Sequence, residues 1–363
     1  MIRSGLRQDA WTPDYTSAIQ WGNAPPTQEA VEVNLERAPL VWEALGETFT
    51  TLDLKQAGLA DELVFLDGVV RMHSRLLLER ADRYAYSGLG SAVVGALRLR
   101  PGTSLSMEDA LLPPRVRRCL LLPRADQLTT SETQIPGLPF AFEHYYYHEG
   151  PATGAANAAD GGVIGNERAP EQALQQAMRQ AEKDYLEALI AQYHAEGRTA
   201  TFIVDGPLPR YSTPHTAPDF PVVGYVKTLH TRYLPPEQHQ VLYTLKAGQR
   251  SPLFRIGQRQ ISWYLCLANP RPMDTPLAGV VRLEVATHQV QASIARVQQL
   301  ADGLARVLPA LVMARHEDPR SPQNLLPIHT LERQLKMRMG HRALIQRQLD
   351  AYFHYHLSVQ ELS

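Results

Sequence analysis

Two short runs of the chain share one pattern. In DELVFLDGVV (61–70) apolar residues stand side by side until an acid and a glycine interrupt them, and TFIVDGPL (201–208) repeats it. Each run is short, rich in Val, Leu, Ile and Phe, and closed by a turn signal, which predicts buried strands over Leu63–Val70 and Thr201–Asp205. After the first, the Tyr, Val and Gly content of 71–101 suits further paired strands, and VRRCLLLP (116–123) is another apolar run. From Pro170 to Ala195 the period changes: Leu174, Met178, Ala181, Tyr185, Leu189 and Tyr193 recur at spacings of three and four, which predicts a helix with one apolar face. PVVGYVKTLH (221–230) reads as a strand containing Lys227, and ISWYLCLA with GVVRLEV as an antiparallel pair. Residues 287–313 and Thr330–Phe353 read as long helices. Strands, a helix, more strands and then helices predict an α/β fold: a mixed sheet with helices on its faces, not an all-parallel one.

The remaining segments lack such periodicity. Residues 1–60 read as a helical and irregular N-terminal extension. Residues 124–166 read as loop, and EGPATGAANAADGGVIGNERAP within and just beyond them, rich in Gly, Ala and Asn, as a flexible insertion or lid.

Composition narrows the classes. With 363 residues, 44% of them hydrophobic, the chain can form a substantial core. No run approaches the ~18–20 apolar residues of a membrane span, and MIRSGLRQDAWTPDY lacks the apolar stretch of a secretory signal, so no membrane association and a cytoplasmic location are expected. Cys119 and Cys266 are too few for a disulfide framework or a paired-cysteine zinc site and read as reduced and buried. Thirty-six basic against 37 acidic residues give a net charge of −1, so any DNA would be bound in a local groove or delivered by a partner. Basic residues do cluster in LERQLKMRMGHR and RALIQRQ, which a solvated helix face explains as readily as a phosphate track.

The acids suggest chemistry. Strand-end carboxylates converge when their strands lie side by side, about 5 Å apart, and hard divalent ions take such oxygen ligands to hydrolyse phosphodiesters. Asp67, Asp205 and a helical carboxylate would supply the site. Glu182 lies beside the apolar stripe of the helix, between Met178 and Leu186, whereas Glu187 lies on its wetter side. Taken singly, each Asp-Gly is first a turn opener; the repeat, with an acid on a packing face before the second copy, tilts the balance towards a metal site. His329, in SPQNLLPIHTLERQLKMRMGH, would orient water, contact a phosphate or ligate a metal, with a capping or exposed histidine as the competing reading. Lys227 would neutralise phosphate charge or serve solubility. YYYH (145–148) offers rings for unpaired bases, or for packing under a loop.

Taken in order, FLDG, FIVDGPL, VVGYVK, ISWYLCL, GVVRLEV and SPQNLLPIHTLERQL resemble the NurA family of DNA-end-processing nucleases from about residue 60 onward. The resemblance implies an RNase H-like mixed sheet flanked by helices, with N- and C-terminal helical extensions, and a nuclease domain over 61–363. It implies Mn2+-dependent hydrolysis of DNA, with Mg2+ as an alternative, at ends or within single strands, in end resection or DNA defence. It also implies a homodimer and a partnership with the hexameric HerA ATPase, a DNA translocase. Carried over residue by residue, it assigns Asp67, Glu182 and Asp205 to the metal, with Glu187 as the alternative to Glu182, and Lys227 and His329 to the phosphate. Many relatives carry a tyrosine eight residues before that histidine; here the residue is Ser321.

Overall fold

The apolar run that begins at Leu63 does not stop at Asp67 and Gly68 but continues as one strand to Glu79. The structure, a computed structural model, describes residues 6–8, 31–32, 54–79, 84–100, 106–124, 130–148, 166–208, 221–227, 233–258, 260–271, 274, 277–286, 293–313 and 322–360. Among them the strands are β1 (Leu6–Gln8), β2 (Val31–Glu32), β3 (Leu63–Glu79), β4 (Tyr84–Leu99), β5 (Arg115–Pro123), β6 (Glu132–Gln134), β7 (Ala141–Tyr147), β8 (Thr201–Asp205), β9 (Val222–Val226), β10 (Phe254–Ile256), β11 (Gln260–Cys266) and β12 (Val280–Ala286). The helices are α1 (Met107–Ala110), α2 (Ala169–Ala195), α3 (Gln240–Thr244), α4 (Ile294–Val307), α5 (Leu326–Arg338) and α6 (Arg342–Gln360).

All these strands join one mixed sheet in the order β2-β10-β11-β12-β9-β8-β3-β4-β5-β7-β6, with β1 pairing the far end of β3. At its centre β8 runs parallel to β3 and β9 parallel to β8, while β4 runs antiparallel to both β3 and β5. The mixed sheet, α2 and the ISWYLC–VVRLEV antiparallel pair match the sequence reading.

Alternation along the strands separates two helix layers. Val64, Leu66, Phe202 and Val204 pack under Ala181, Tyr185, Leu186 and Leu189 of α2. Leu63, Phe65, Ile203 and Tyr225 point the other way, into a core closed by Val297, Ala301 and Leu304 of α4 and Ile328 of α5. On that face Val69 and Val93 meet Leu331 and Leu335 of α5, and Leu89 and Leu120 meet Ile345 and Leu349 of α6. Each such buried aliphatic side chain contributes about 1.5–3 kcal/mol.

Several expected elements differ. The described pieces of 1–60 include two strands that pair into the sheet, not helix, because edge positions on β3 and β10 offer unpaired backbone groups for them. Part of the supposed insertion is sheet: β6 and β7 are held by Phe142 and Ile135 in the α6 core, whereas residues 149–165 lie outside the described residues. Tyr147 of YYYH is buried and donates its hydroxyl to the Tyr86 carbonyl (2.5 Å), so packing accounts for it. The 287–313 helix is Ile294–Val307 followed by a 3-10 turn over Leu308–Leu311, where Pro309 cannot donate a helical hydrogen bond; residues 287–292 lie outside the described residues. The C-terminal helix is two helices, α5 and α6, broken where Gly340 takes φ +87°, a conformation that ends helices. Among the described residues no helix is long and apolar enough to cross a membrane.

Two buried polar clusters sit along β3. At its start Glu62 is 2% exposed. Burial opposes its charge, but hydrogen bonds from Arg100, Arg198 and Tyr193 outweigh that and hold its carboxyl below the usual range. Further along, a bulge at Met72–Ser74 turns His73 inward, where its Nε2 meets Ser91 Oγ at 2.6 Å. Burial, then Arg118, Arg71 and Arg342, push its imidazole down to about 3.

His73 therefore charges far more readily in the unfolded chain than in the fold, so its contribution to stability falls as pH drops from about 6.5 towards 3. Relative to His73→Gln, the wild type should lose about 1.4 kcal/mol per pH unit in that window. Urea unfolding of both proteins between neutral pH and about pH 4.5 measures the difference; parallel pH dependences would contradict it.

Candidate functional site

Parallel pairing of β3 with β8 ends at Leu66 opposite Val204, which leaves Asp67 and Asp205 as the next residues on neighbouring strands. Both fall on the face of Phe65 and Ile203, and Lys227, two residues past Tyr225 on the next strand, falls there too. Beyond this point β8 turns away at Gly206, whose N–H donates to the Tyr225 carbonyl (2.8 Å). Along β3, no described residue pairs on this side between Asp67 and Arg75. The sheet therefore has an open notch in its middle, and groups from both layers can meet there.

Glu182 enters the notch from α2. A Cβ on Gly68 would stand 2.6 Å from Glu182 Oε1 and closer still to Met178 Sδ, so a glycine is required at 68 for the helix to seat and for its carboxylate to lie against β3. This is the physical reason for the first Asp-Gly pair, which lies within a strand and opens no turn. Glu187 is exposed and faces Lys183 at 3.9 Å, so Glu182 is the glutamate brought to the aspartates.

The cationic side of the site is small. Lys227 Nζ donates to Asp205 Oδ2 (2.8 Å) and to Asn324 Oδ1 (3.1 Å). Tyr225, buried beneath, donates its hydroxyl to the Gln323 carbonyl (2.7 Å), so two bonds tie the segment ahead of α5 to β9. Asp67, 9% exposed, accepts from the Gly68 N–H (2.8 Å). Burial, then the charges of Asp205 and Glu182, raise its carboxyl well above the usual range against the opposing pull of Lys227, and Glu332 of α5 adds to the rise. Burial and Asp205 push Glu182 up to about 8, with Arg179 opposing. The three predicted acids thus share one electrostatic field, with Lys227 as the cation hydrogen-bonded to one of them.

His329 lies in the first turn of α5, partly buried, its N–H bonded to the Leu325 carbonyl (3.0 Å). Glu332, one turn further, was missed from sequence: its spacing of three from His329 was the signal, and its (i, i+4) pair with Lys336 (2.7 Å) is of the kind found on any helix surface. Asn324 and Glu284 were missed too. Glu284, 1% exposed, accepts from the Leu208 N–H (2.7 Å) and pairs with Arg282, which anchors the loop after Asp205. Ser321 lies outside the described residues.

As a ligand set for a divalent cation, the residues fit in donor chemistry and charge: all are carboxylate oxygens, crowded and under-neutralised. Their side chains do not form a ready clasp, since among the described residues no group of three or more His, Cys, Asp or Glu stands in metal-holding geometry. Compared with known proteins, the chain matches no family model and no curated sequence.

Glu182 is raised in the fold, so its charge lowers stability as pH rises from about 4.5 to about 8. In chelator, Glu182→Gln should be more stable than wild type by about 1–3 kcal/mol at pH 7 and no more stable at pH 4. Mn2+ should raise the melting temperature of wild type and not of the variant. Calorimetry at the two pH values, with and without the ion, checks both; a variant less stable at pH 7 would contradict the crowding.

Proposed function

We propose that the chain is a divalent-metal-dependent deoxyribonuclease resembling the NurA family, hydrolysing phosphodiesters at the notch beside β3. The observation that carries this reading is the convergence of Asp67, Glu182 and Asp205, from two strands and a helix far apart in sequence, at the place where β8 ends. Glu62, a buried acid at the start of the same strand, is held low by hydrogen bonds from two arginines and a tyrosine; Asp67 and Glu182 are instead raised, first by burial and then by the charge of Asp205, and Glu182 adds to the rise at Asp67. An RNase H-like core belongs to the same reading, supported by a central run β5-β4-β3-β8-β9 in which only β4 opposes the rest and α2 precedes β8.

Asp67, Glu182 and Asp205 would hold Mn2+, or Mg2+ in its place. A bound ion of this kind supplies an activated water and neutralises charge at the phosphate. Lys227, held by Asn324 as well as by Asp205, would meet phosphate charge, and Glu284, through the Leu208 N–H, anchors the loop after Asp205. The near-neutral chain is in keeping with DNA delivered by a HerA-type translocase to a homodimer, in end resection or DNA defence.

One observation favours a second reading, a catalytically silent nuclease-like adaptor that docks on a translocase: the acids do not stand in a three-ligand clasp. Linear DNA separates the two. Wild type should degrade it with Mn2+ and not with chelator; Asp67→Asn should reduce degradation to background, while Glu187→Gln retains it. Chelator-resistant or absent degradation by wild type favours the adaptor, and full activity in Asp67→Asn removes the assignment of that residue.

A further inference from the structure

The two helices that follow the notch meet at an elbow, Arg338–Arg342, on which basic side chains from two strands and both helices gather. Arg71 of β3 and Arg118 of β5 stand in one row across the sheet, since Arg71 pairs with Ser91 and Ser91 with Arg118. Both guanidiniums reach the end of α5: Arg71 Nη1 donates to the Gly340 carbonyl (2.8 Å), and Arg118 Nη1 donates to the Met339 carbonyl (2.7 Å) and to Ser91 Oγ (2.5 Å). A helix C-terminus carries only about half a negative charge. Two guanidiniums already meet it, and the exposed Arg338 and Arg342 bring further positive charge to the same elbow. From Arg333 to Arg347 the chain holds five Arg or Lys and no Asp or Glu, against a net charge of −1 for the whole. Burial and then a neighbouring arginine hold both Arg71 and Arg118 below the usual arginine range: Arg342 acts on the first and Arg71 on the second. Like charges crowded in this way are relieved by an anion.

The elbow also stands in line with the notch. Arg71 is four residues beyond Asp67 on the same strand and the same face, with Val69 between them under α5. At about 3.3 Å per strand residue that is roughly 13 Å, or about four base steps of duplex DNA at 3.4 Å each. We propose that the α5–α6 elbow is a second phosphate site, where Arg338 and Arg342, backed by Arg71 and Arg118, hold the sugar-phosphate backbone of the nucleic acid being cut at the notch. The proposal rests on the nuclease reading for the position of the scissile bond, and on the elbow alone for the binding.

Binding of a fluorescein-labelled DNA duplex to the full chain, followed by anisotropy in EDTA as salt is varied, tests it without cleavage. The double variant Arg338→Ala/Arg342→Ala should bind about tenfold or more weakly near 0.1 M salt, with the slope of log K against log salt reduced by about two. Arg338→Lys/Arg342→Lys should keep the wild-type slope, and Arg296→Ala, on the exposed side of α4, should change neither quantity. Wild-type affinity and slope in the double alanine variant, or no DNA binding by wild type, would overturn the proposal. Failure of the nuclease reading is registered separately, as a lack of chelator-sensitive cleavage by a wild type whose binding still depends on the elbow.

Discussion

Parallel strands in register carry equivalent side chains past one another about 4.8 Å apart, whatever their charge. Asp67 and Asp205 follow directly on such a pair, each one residue past the last position at which β3 and β8 pair. Two full charges at about 5 Å repel by roughly 3 kcal/mol at an effective dielectric constant of 20, and Glu182 and Glu332 add to the field at Asp67. For a domain whose net stability is on the order of 5–15 kcal/mol, such crowding beside a single ion-paired lysine is a substantial cost, and the arrangement makes sense when a cation shares the site.

Around this repulsion the scaffold is held by close packing and hydrogen bonds. Gly68 lets α2 approach until Glu182 touches the strand. Glu284 holds the Leu208 N–H, the Tyr225 hydroxyl holds the Gln323 carbonyl, and Lys227 spans Asp205 and Asn324, so strand, loop and helix entrance are tied together. Five residues before Asp67, at the start of the same strand, Glu62 shows how this fold treats a buried acid whose role is structural, by surrounding it with arginines and a tyrosine. The acids around Asp67 have fewer cationic partners than Glu62 has.

Much of this was legible in the residues, for identifiable reasons. Apolar runs of Val, Leu and Ile announced the central strands, a three-four spacing announced α2, and the packing stripe of that helix favoured Glu182 while leaving Glu187 as the alternative. What stayed hidden depended on tertiary approach. That Asp67-Gly68 lies inside a strand could not be read without Met178 and Glu182 above it, because Asp-Gly alone is turn chemistry. Glu332 and Glu284 carry no distinguishing pattern in the sequence, and only the packing of α5 on β3 and the return of the Leu208 loop bring them to Asp67 and to the loop after Asp205. The N-terminal strands escaped notice because pieces of two and three residues carry no period of their own.

Anomalous diffraction from crystals soaked in Mn2+ tests the central claim most directly. A manganese peak is expected in the notch beside β3, with oxygens of Asp67, Glu182 and Asp205 within coordination distance, about 2.0–2.6 Å. An ordered notch whose acids meet only protein groups, with manganese bound elsewhere or nowhere, would contradict it.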